Sequence, residues 1–191
     1  MPAKRQPGEV FIYRLKVTLK DLRPPIWRRI EVRNDISLAK LHRILQIVMG
    51  WCGCHLHMFT VRGAYFGDPE DDETGELGIR SERRVKLSQI IMGERDRFTY
   101  MYDFGDDWEH EILVEKILPP EPRAHFPRCL TGKRACPPED VGGLPGYADF
   151  LEAIQDPKHP EHDEYLEWIG GGFDPGAFDP EAVNEELREI R

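Results

Sequence analysis

Two short stretches hold the residue types that do chemistry. "HLH" is His55-Leu56-His57, and "YMYDFGDDWEHEI", residues 100–112, contains Asp103, Asp106, Trp108 and His110. Side chains two apart on a strand leave the same face, so the rings of His55 and His57 would stand about 6 to 7 Å apart. Two imidazoles at that spacing can converge on one ion. In the second stretch, Gly105-Asp106 fits a two-residue type II′ turn with Gly at positive φ. That turn would pair Asp103 with Trp108 and Met101 with His110, making Asp103 and His110 same-face neighbours. If the two stretches lie side by side, His55, His57, Asp103 and His110 form a candidate site for a divalent metal such as zinc. The competing reading is a hydrogen-bonded polar cluster with no ion, because buried imidazoles need partners. An Asp beside a His can also orient a general base, but no Ser or Cys nucleophile stands near it in sequence.

Cysteine chemistry is the other option. Cys52-Gly-Cys54 and Cys129…Cys136 lack the two-residue spacing of a zinc knuckle. Cys129 and Cys136 bracket a compact loop just before Glu139 and Asp140, and these four make a second candidate cluster. Buried, reduced thiols are the expected alternative in a cytoplasmic chain.

Elements must position these residues. "VFIYRLKVTL" (10–19) and "IWRRIEV" (26–32) read as strands separated by "DLRPP", whose prolines demand an extended turn. "SLAKLHRILQIVMG" reads as a helix with Ser37 as N-cap, Leu38, Leu41, Leu45 and Val48 at helical spacing, and Gly50 as the terminating glycine. "CHLHMFTV" is a strand, "DPEDDETGE" an exposed loop, "VKLSQIIM" a short helix, and the opening stretch extends into a hairpin. After residue 127, Pro and Gly become frequent and three short helices are expected; the last starts at Asp179-Pro180, an N-cap followed by a first-turn proline. The expected fold is α+β: a mixed, mostly antiparallel sheet with one long packed helix (1–126), then a small acidic helical appendage (127–191) docked on that body.

Composition bounds the function. The chain has 191 residues, 40% hydrophobic and 32% charged, the balance of a globular protein with a real core. No run approaches the roughly 20 apolar residues of a membrane helix. The start of the chain lacks the apolar core of a secretory signal, so a cytoplasmic location is expected. Charge is uneven: residues 137–191 hold 15 acids against 3 Lys and Arg, whereas residues 4–43 hold 11 bases against 4 acids. A formal net charge of −9 argues against strong non-specific DNA binding.

The motifs "LKDLRPPIWRRIEV", "LHRILQIVMGW", "HLHMF", "YMYDFGDDWEHEI" and "CPPEDVGGLPGY" occur in this order over nearly the whole chain. In them the sequence resembles the plasmid pRiA4b ORF-3-like family, also met as passengers of insertion elements. The resemblance implies a mobile-element context. The "resolvase-like" label sometimes attached to it would require a nucleophilic Ser in a Tyr-x-Arg-x-Ser context, and "YRLKVT" has none before Ser37. The resemblance also draws attention to Arg28, Trp51, Asp106 and Tyr147, which with Arg29 form a candidate interaction surface.

Three function classes follow: a binding or adaptor module for protein or peptide, which needs no catalytic group; a nucleic-acid-associated accessory protein; and a metal-dependent hydrolase using His and Asp. No pattern in the sequence insists on an enzyme, so the binding module leads.

Overall fold

The computed structural model describes residues 9–72, 74–121 and 123–190. Its centre is an eight-stranded sheet. The strands are β1 (Ile12–Leu19), β2 (Trp27–Arg33), β3 (His57–Val61), β4 (Ala64–Gly67), β5 (Arg80–Ser81), β6 (Arg97–Tyr102), β7 (Trp108–Leu118) and β8 (Arg128–Lys133). Their spatial order is β5-β4-β3-β6-β7-β1-β2-β8. Every pairing is antiparallel except β4 with β5. Helices α1 (Leu38–Met49), α2 (Leu87–Ile90), α3 (Gly143–Gln155), α4 (His162–Trp168) and α5 (Pro180–Leu187) complete the α+β fold. Among the described residues no helix is long and apolar enough to cross a membrane.

Alternation of apolar and polar residues builds the core face. In β1, Tyr13, Leu15, Val17 and Leu19 are buried, while Arg14, Lys16 and Thr18 point to the other side. Register aligns Leu19 with His110, His110 with Tyr100, Tyr100 with Phe59, and Phe59 with Phe66. These five side chains form one buried row across five strands. Helix α1 covers this face with Leu38, Leu41, Ile44, Leu45 and Val48. Its ends are as the sequence predicts: Ser37 Oγ accepts from the Lys40 N–H, and Gly50 adopts φ 87° with its N–H on Gln46 and Ile47 carbonyls.

Strand β8 was not anticipated, because "RCLTGK" offers only one fully buried position beside β2. The C-terminal helices share the single core: Tyr147, Phe150, Leu187 and Ile190 belong to the same buried cluster as the sheet. Asp179 caps α5 through Oδ1, as expected.

The hairpin differs from expectation. Tyr102 faces Trp108 and Tyr100 faces His110, a shift of one residue in the pairing. Gly105 is not among the residues at positive φ; Asp103 (φ 58°) and Asp107 (φ 57°) are. A two-residue II′ turn is replaced by a five-residue loop, 103–107. The Asp103 side chain accepts from the N–H groups of Gly105 and Asp106 at 2.8 and 3.3 Å, and its carbonyl accepts from the Asp107 N–H at 2.7 Å. An Asp that bonds its own loop tolerates the left-handed region, and here it displaces the glycine from that role. Asp103 therefore leaves the strand, and the core face carries Tyr100, Tyr102, Trp108 and His110.

Candidate metal centre

The segment between α1 and β3 is irregular, so His55 is a loop residue rather than part of a strand, while His57 opens β3. The four residues expected to share a site are thus divided. His57 lies on the core side with Phe59, stacks on His42 at 3.5 Å between ring centroids, and meets Glu82 Oε2 through Nε2 at 3.0 Å. The ring of His42 is also bonded through Nδ1 to Tyr100 Oη at 2.8 Å, and burial pushes its pKa down to about 3. His110 is fully buried, with Nδ1 against the Tyr100 carbonyl at 3.2 Å and its ring edge-on to Trp51. Among the described residues, neither His57 nor His110 belongs to a group of three or more ligand atoms close enough to share an ion.

His55 and Asp103 do come together, and they are joined by Glu139 and Asp140, which sequence reasoning had grouped with Cys129 and Cys136. Around His55 Nε2 lie Asp140 Oδ1 at 3.2 Å, Asp103 Oδ2 at 3.7 Å and Glu139 Oε2 at 3.8 Å. The ligand atoms of His55, Asp103 and Asp140 lie within 4.8 Å of one another. Two of the carboxylates are aimed by their second oxygens. Asp103 Oδ1 is held by its own loop, and Glu139 Oε1 accepts from Tyr102 Oη at 3.0 Å and the Cys52 N–H at 2.8 Å. Burial and the Glu139 carboxylate together hold the Tyr102 phenol well above its ordinary pKa, so it remains a donor. His55 Nε2 and Glu139 Oε2 are buried atoms without a hydrogen bond. Exposure rises from 10% for the Asp103 side chain to 70% for Asp140, so the cluster has a closed floor and an open mouth.

Backbone geometry brings the acids in. Pro137 and Pro138 precede them, and Gly142 (φ 91°) and Gly143 (φ 66°) follow. The Gly142 N–H donates to Asp106 Oδ2 at 3.1 Å. A Cβ on Gly143 would lie 2.8 Å from the Asp106 carbonyl oxygen, so only glycine admits this approach of the two loops. Proline-rigid and glycine-bent ends around Glu-Asp were the sequence signal for this loop. Its partner was not legible, because the contact spans more than thirty residues of chain.

The remaining candidate residues lie outside this cluster. Cys129 and Cys136 are buried free thiols whose pKa values burial raises to about 11. Cys136 Sγ accepts from the Arg28 guanidinium at 3.3 Å. That guanidinium also donates to the carbonyls of Val48, Trp27 and Lys133 and lies over the Phe178 ring, so Arg28 is a 2% exposed clamp rather than a surface residue. Trp51 and Tyr147 are buried too, Trp51 Nε1 donating to the Pro137 carbonyl. Arg29 pairs with Glu115 on the outer sheet face, and Asp106 anchors Gly142. Of the five residues grouped as a candidate interaction surface, Arg28, Trp51 and Tyr147 are thus buried. Cys52 and Cys54 are joined in a disulfide, which differs from the expectation of reduced thiols and places the bond beside Glu139.

The α+β fold thus combines a mostly antiparallel sheet covered by α1 with an open His-carboxylate cluster where a hairpin loop meets a Pro-Gly loop. The family model of the plasmid pRiA4b ORF-3-like protein matches residues 11–182, and the chain belongs to that family. It is 41% identical over 180 residues to the uncharacterized protein y4hQ of Sinorhizobium fredii (strain NBRC 101917 / NGR234), covering 94% of this chain and 92% of that one. It is also similar to the crystal structure of MM3350, a protein of unknown function from Methanosarcina mazei Go1, with a TM-score of 0.84 and 38% identity over 92% of this chain and 98% of the other.

Proposed function

We propose that this protein is a binding module for protein or peptide, organised around a divalent cation held by His55, Asp103, Glu139 and Asp140. The observation that carries the reading is the convergence of three carboxylate oxygens on a buried imidazole nitrogen that makes no hydrogen bond. Such atoms are costly unless something satisfies them, and one nitrogen with several oxygens suits Zn2+ or Mn2+. The three carboxylate oxygens lie 3.2–3.8 Å from His55 Nε2, and the ligand atoms of His55, Asp103 and Asp140 lie within 4.8 Å of one another, with Glu139 beside them. Asp140 also lines a cavity of about 250 Å³ with Glu161, Glu164, Tyr165 and Trp168. Three carboxylates, one of them shared with the ion, and two rings favour a cationic side chain, Lys or Arg, through charge and cation–π attraction. A basic peptide segment is therefore the partner chemistry beside the ion.

A second reading, metal-dependent hydrolysis, draws on one feature: Glu139 Oε2 is aimed at the cluster while Oε1 is tethered, the posture of a base beside metal-bound water.

The test is metal analysis and calorimetry on protein purified without a histidine tag. One equivalent of Zn2+ or Mn2+ is expected, weakened at least about tenfold in His55→Ala and Asp140→Asn. Stoichiometric binding that survives both substitutions, or no binding at all, overturns the metal reading. An Arg-containing peptide whose affinity falls on metal removal supports the binding module. Metal-dependent turnover of model ester, phosphate or peptide substrates, lost in Glu139→Gln, supports the hydrolase instead.

A further inference from the structure

A larger cavity, about 590 Å³, lies at the opposite end of α1 from Gly50. Its floor is apolar, made by Val32, Ile36, Ile44, Phe126 and Pro127. Its walls carry Arg33, Lys40, Arg83, Arg84 and Lys86 against one acid, Asp35. Five cations around a cavity are out of keeping with a chain of net charge −9.

Two of the five are neutralised. Arg33 forms a two-pronged pair with Asp35, and Arg83 pairs with Asp68 at 2.8 Å. Lys40, Arg84 and Lys86 have no ion pair among the described residues. Their backbone is nonetheless well held. Ser37 and Lys86 form an antiparallel bridge, Leu38 N–H donates to the Val85 carbonyl at 2.9 Å, and Leu87 N–H donates to the Ile36 carbonyl at 3.0 Å. The segment carrying Arg84 and Lys86 is thereby tied to the first turn of α1, which carries Lys40. The start of the helix contributes no free donor. Its first four N–H groups are taken by Val85 O, Glu82 O, Ser37 Oγ and Ser37 O. Attraction for an anion comes from the side chains alone.

We propose that this cavity binds a phosphate-bearing ligand with a planar or apolar body, of nucleotide size. Cavities of a few hundred Å³ with an apolar floor and a few convergent polar groups are the usual form of small-molecule sites. Lys40, Arg84 and Lys86 engage the phosphate oxygens by charge-assisted hydrogen bonds. Phe126 and the aliphatic floor take the ligand's body. The same chemistry is offered by a free nucleotide and by the end of a single-stranded nucleic acid. The site is separate from the His55 cluster and does not depend on it.

The experiment is isothermal titration of the full chain with ADP, with pyrophosphate and with a short oligothymidylate at low and moderate salt. ADP is expected to bind saturably, more tightly than pyrophosphate, and more weakly as salt rises. The double substitution Arg84→Glu/Lys86→Glu changes two exposed residues and should weaken ADP at least about tenfold, a loss of at least ~1.4 kcal/mol. Arg43→Glu, an exposed position on α1 outside the cavity, makes a like change of charge and should leave binding unaltered. Oligothymidylate binding more than about tenfold tighter than ADP, and equally lost in the double variant, identifies a nucleic-acid end as the source. No saturable binding of any probe, or equal loss in Arg43→Glu and the double variant, overturns the proposal.

Discussion

His110 makes acid stability a sharp test of the core. Its ring is fully buried in the row Leu19–His110–Tyr100–Phe59, and burial drives its pKa from the ordinary value of 6.5 down to about 4. The nearby Arg28 charge acts in the same direction, while the carbonyls of Tyr100 and Trp108 act against it. The native ring stays neutral at pH values where the unfolded chain takes up a proton. Stability is thus full above about pH 6.5, falls as pH drops through the interval to about 4, and loses nothing more from this group below that. Linkage between those two pKa values gives a loss on the order of 2 to 3 kcal/mol from about pH 7.5 to about pH 4.5. The assay is urea unfolding across that range, for the protein and for His110→Phe. The variant loses the hydrogen bond to Tyr100 and should be less stable at neutral pH, yet its decline with acid should be shallower by roughly 2 to 3 kcal/mol. Parallel declines for the two proteins would refute the claim that a neutral, buried imidazole sits in this row.

Four further outcomes are expected, three from packing and one from the proposed metal site. Trp108→Ala, which empties a position 1% exposed beside Tyr102, should cost about 3 to 5 kcal/mol in chemical unfolding. Gly143→Ala should cost at least about 1 kcal/mol, since it needs φ 66° and 2.8 Å of space from the Asp106 carbonyl, and it should also weaken metal binding by pushing Glu139 and Asp140 away from His55. Gly105→Ala should be milder than Gly143→Ala in the same assay, because its φ is not positive and its nearest neighbour is the Asp103 side chain at 3.2 Å. Saturating Zn2+ should stabilise the fold by mass action, by about 2.7 kcal/mol at a hundredfold excess over Kd and seen as a higher midpoint of thermal unfolding, and His55→Ala should abolish the effect.

The long elements were legible in the sequence because their signals are local and agree with one another. Ser37, Gly50 and the spacing of Leu38, Leu41, Leu45 and Val48 each specify the same helix, and Asp179-Pro180 starts α5 as expected. Alternation over residues 10–19 likewise specified a strand, and β1 spans Ile12–Leu19. The hairpin failed at its turn. Asp103 and Gly105 compete for the role of turn-maker, and local pattern cannot tell a five-residue loop closed by an aspartate side chain from a two-residue turn opened by a glycine. Since strand side chains alternate with period two, that single choice exchanged Met101 for Tyr100 and Tyr102 on the buried face. Trp27 shows the same limit: an aromatic in a strand is expected inside, yet it is half-buried on the outer face under Lys16 and Arg29.

The site was harder to read, because its members are loop residues whose meeting depends on backbone conformations that propensity disfavours. Asp103 and Asp140 both sit at positive φ, 58° and 57°, and Asp107 between them in sequence does so as well. Aspartate occupies that region at a cost, which persists only where the surroundings over-determine it. Around Asp103 the determinants are two N–H groups of its own loop. Around Asp140 they are the proline pair before it and the Gly142–Asp106 bond after it. The two strained aspartates face the same imidazole nitrogen from opposite loops, and Glu139 is tied to Tyr102 behind them. A fold that needed only a polar plug at this place could satisfy His55 with one relaxed carboxylate. Gathering three, two of them from left-handed positions, concentrates negative charge where repulsion among the oxygens opposes the arrangement. Under the proposed metal reading, a divalent cation would turn that repulsion into attraction, and the left-handed conformations of Asp103 and Asp140 would serve to aim their carboxylates at it.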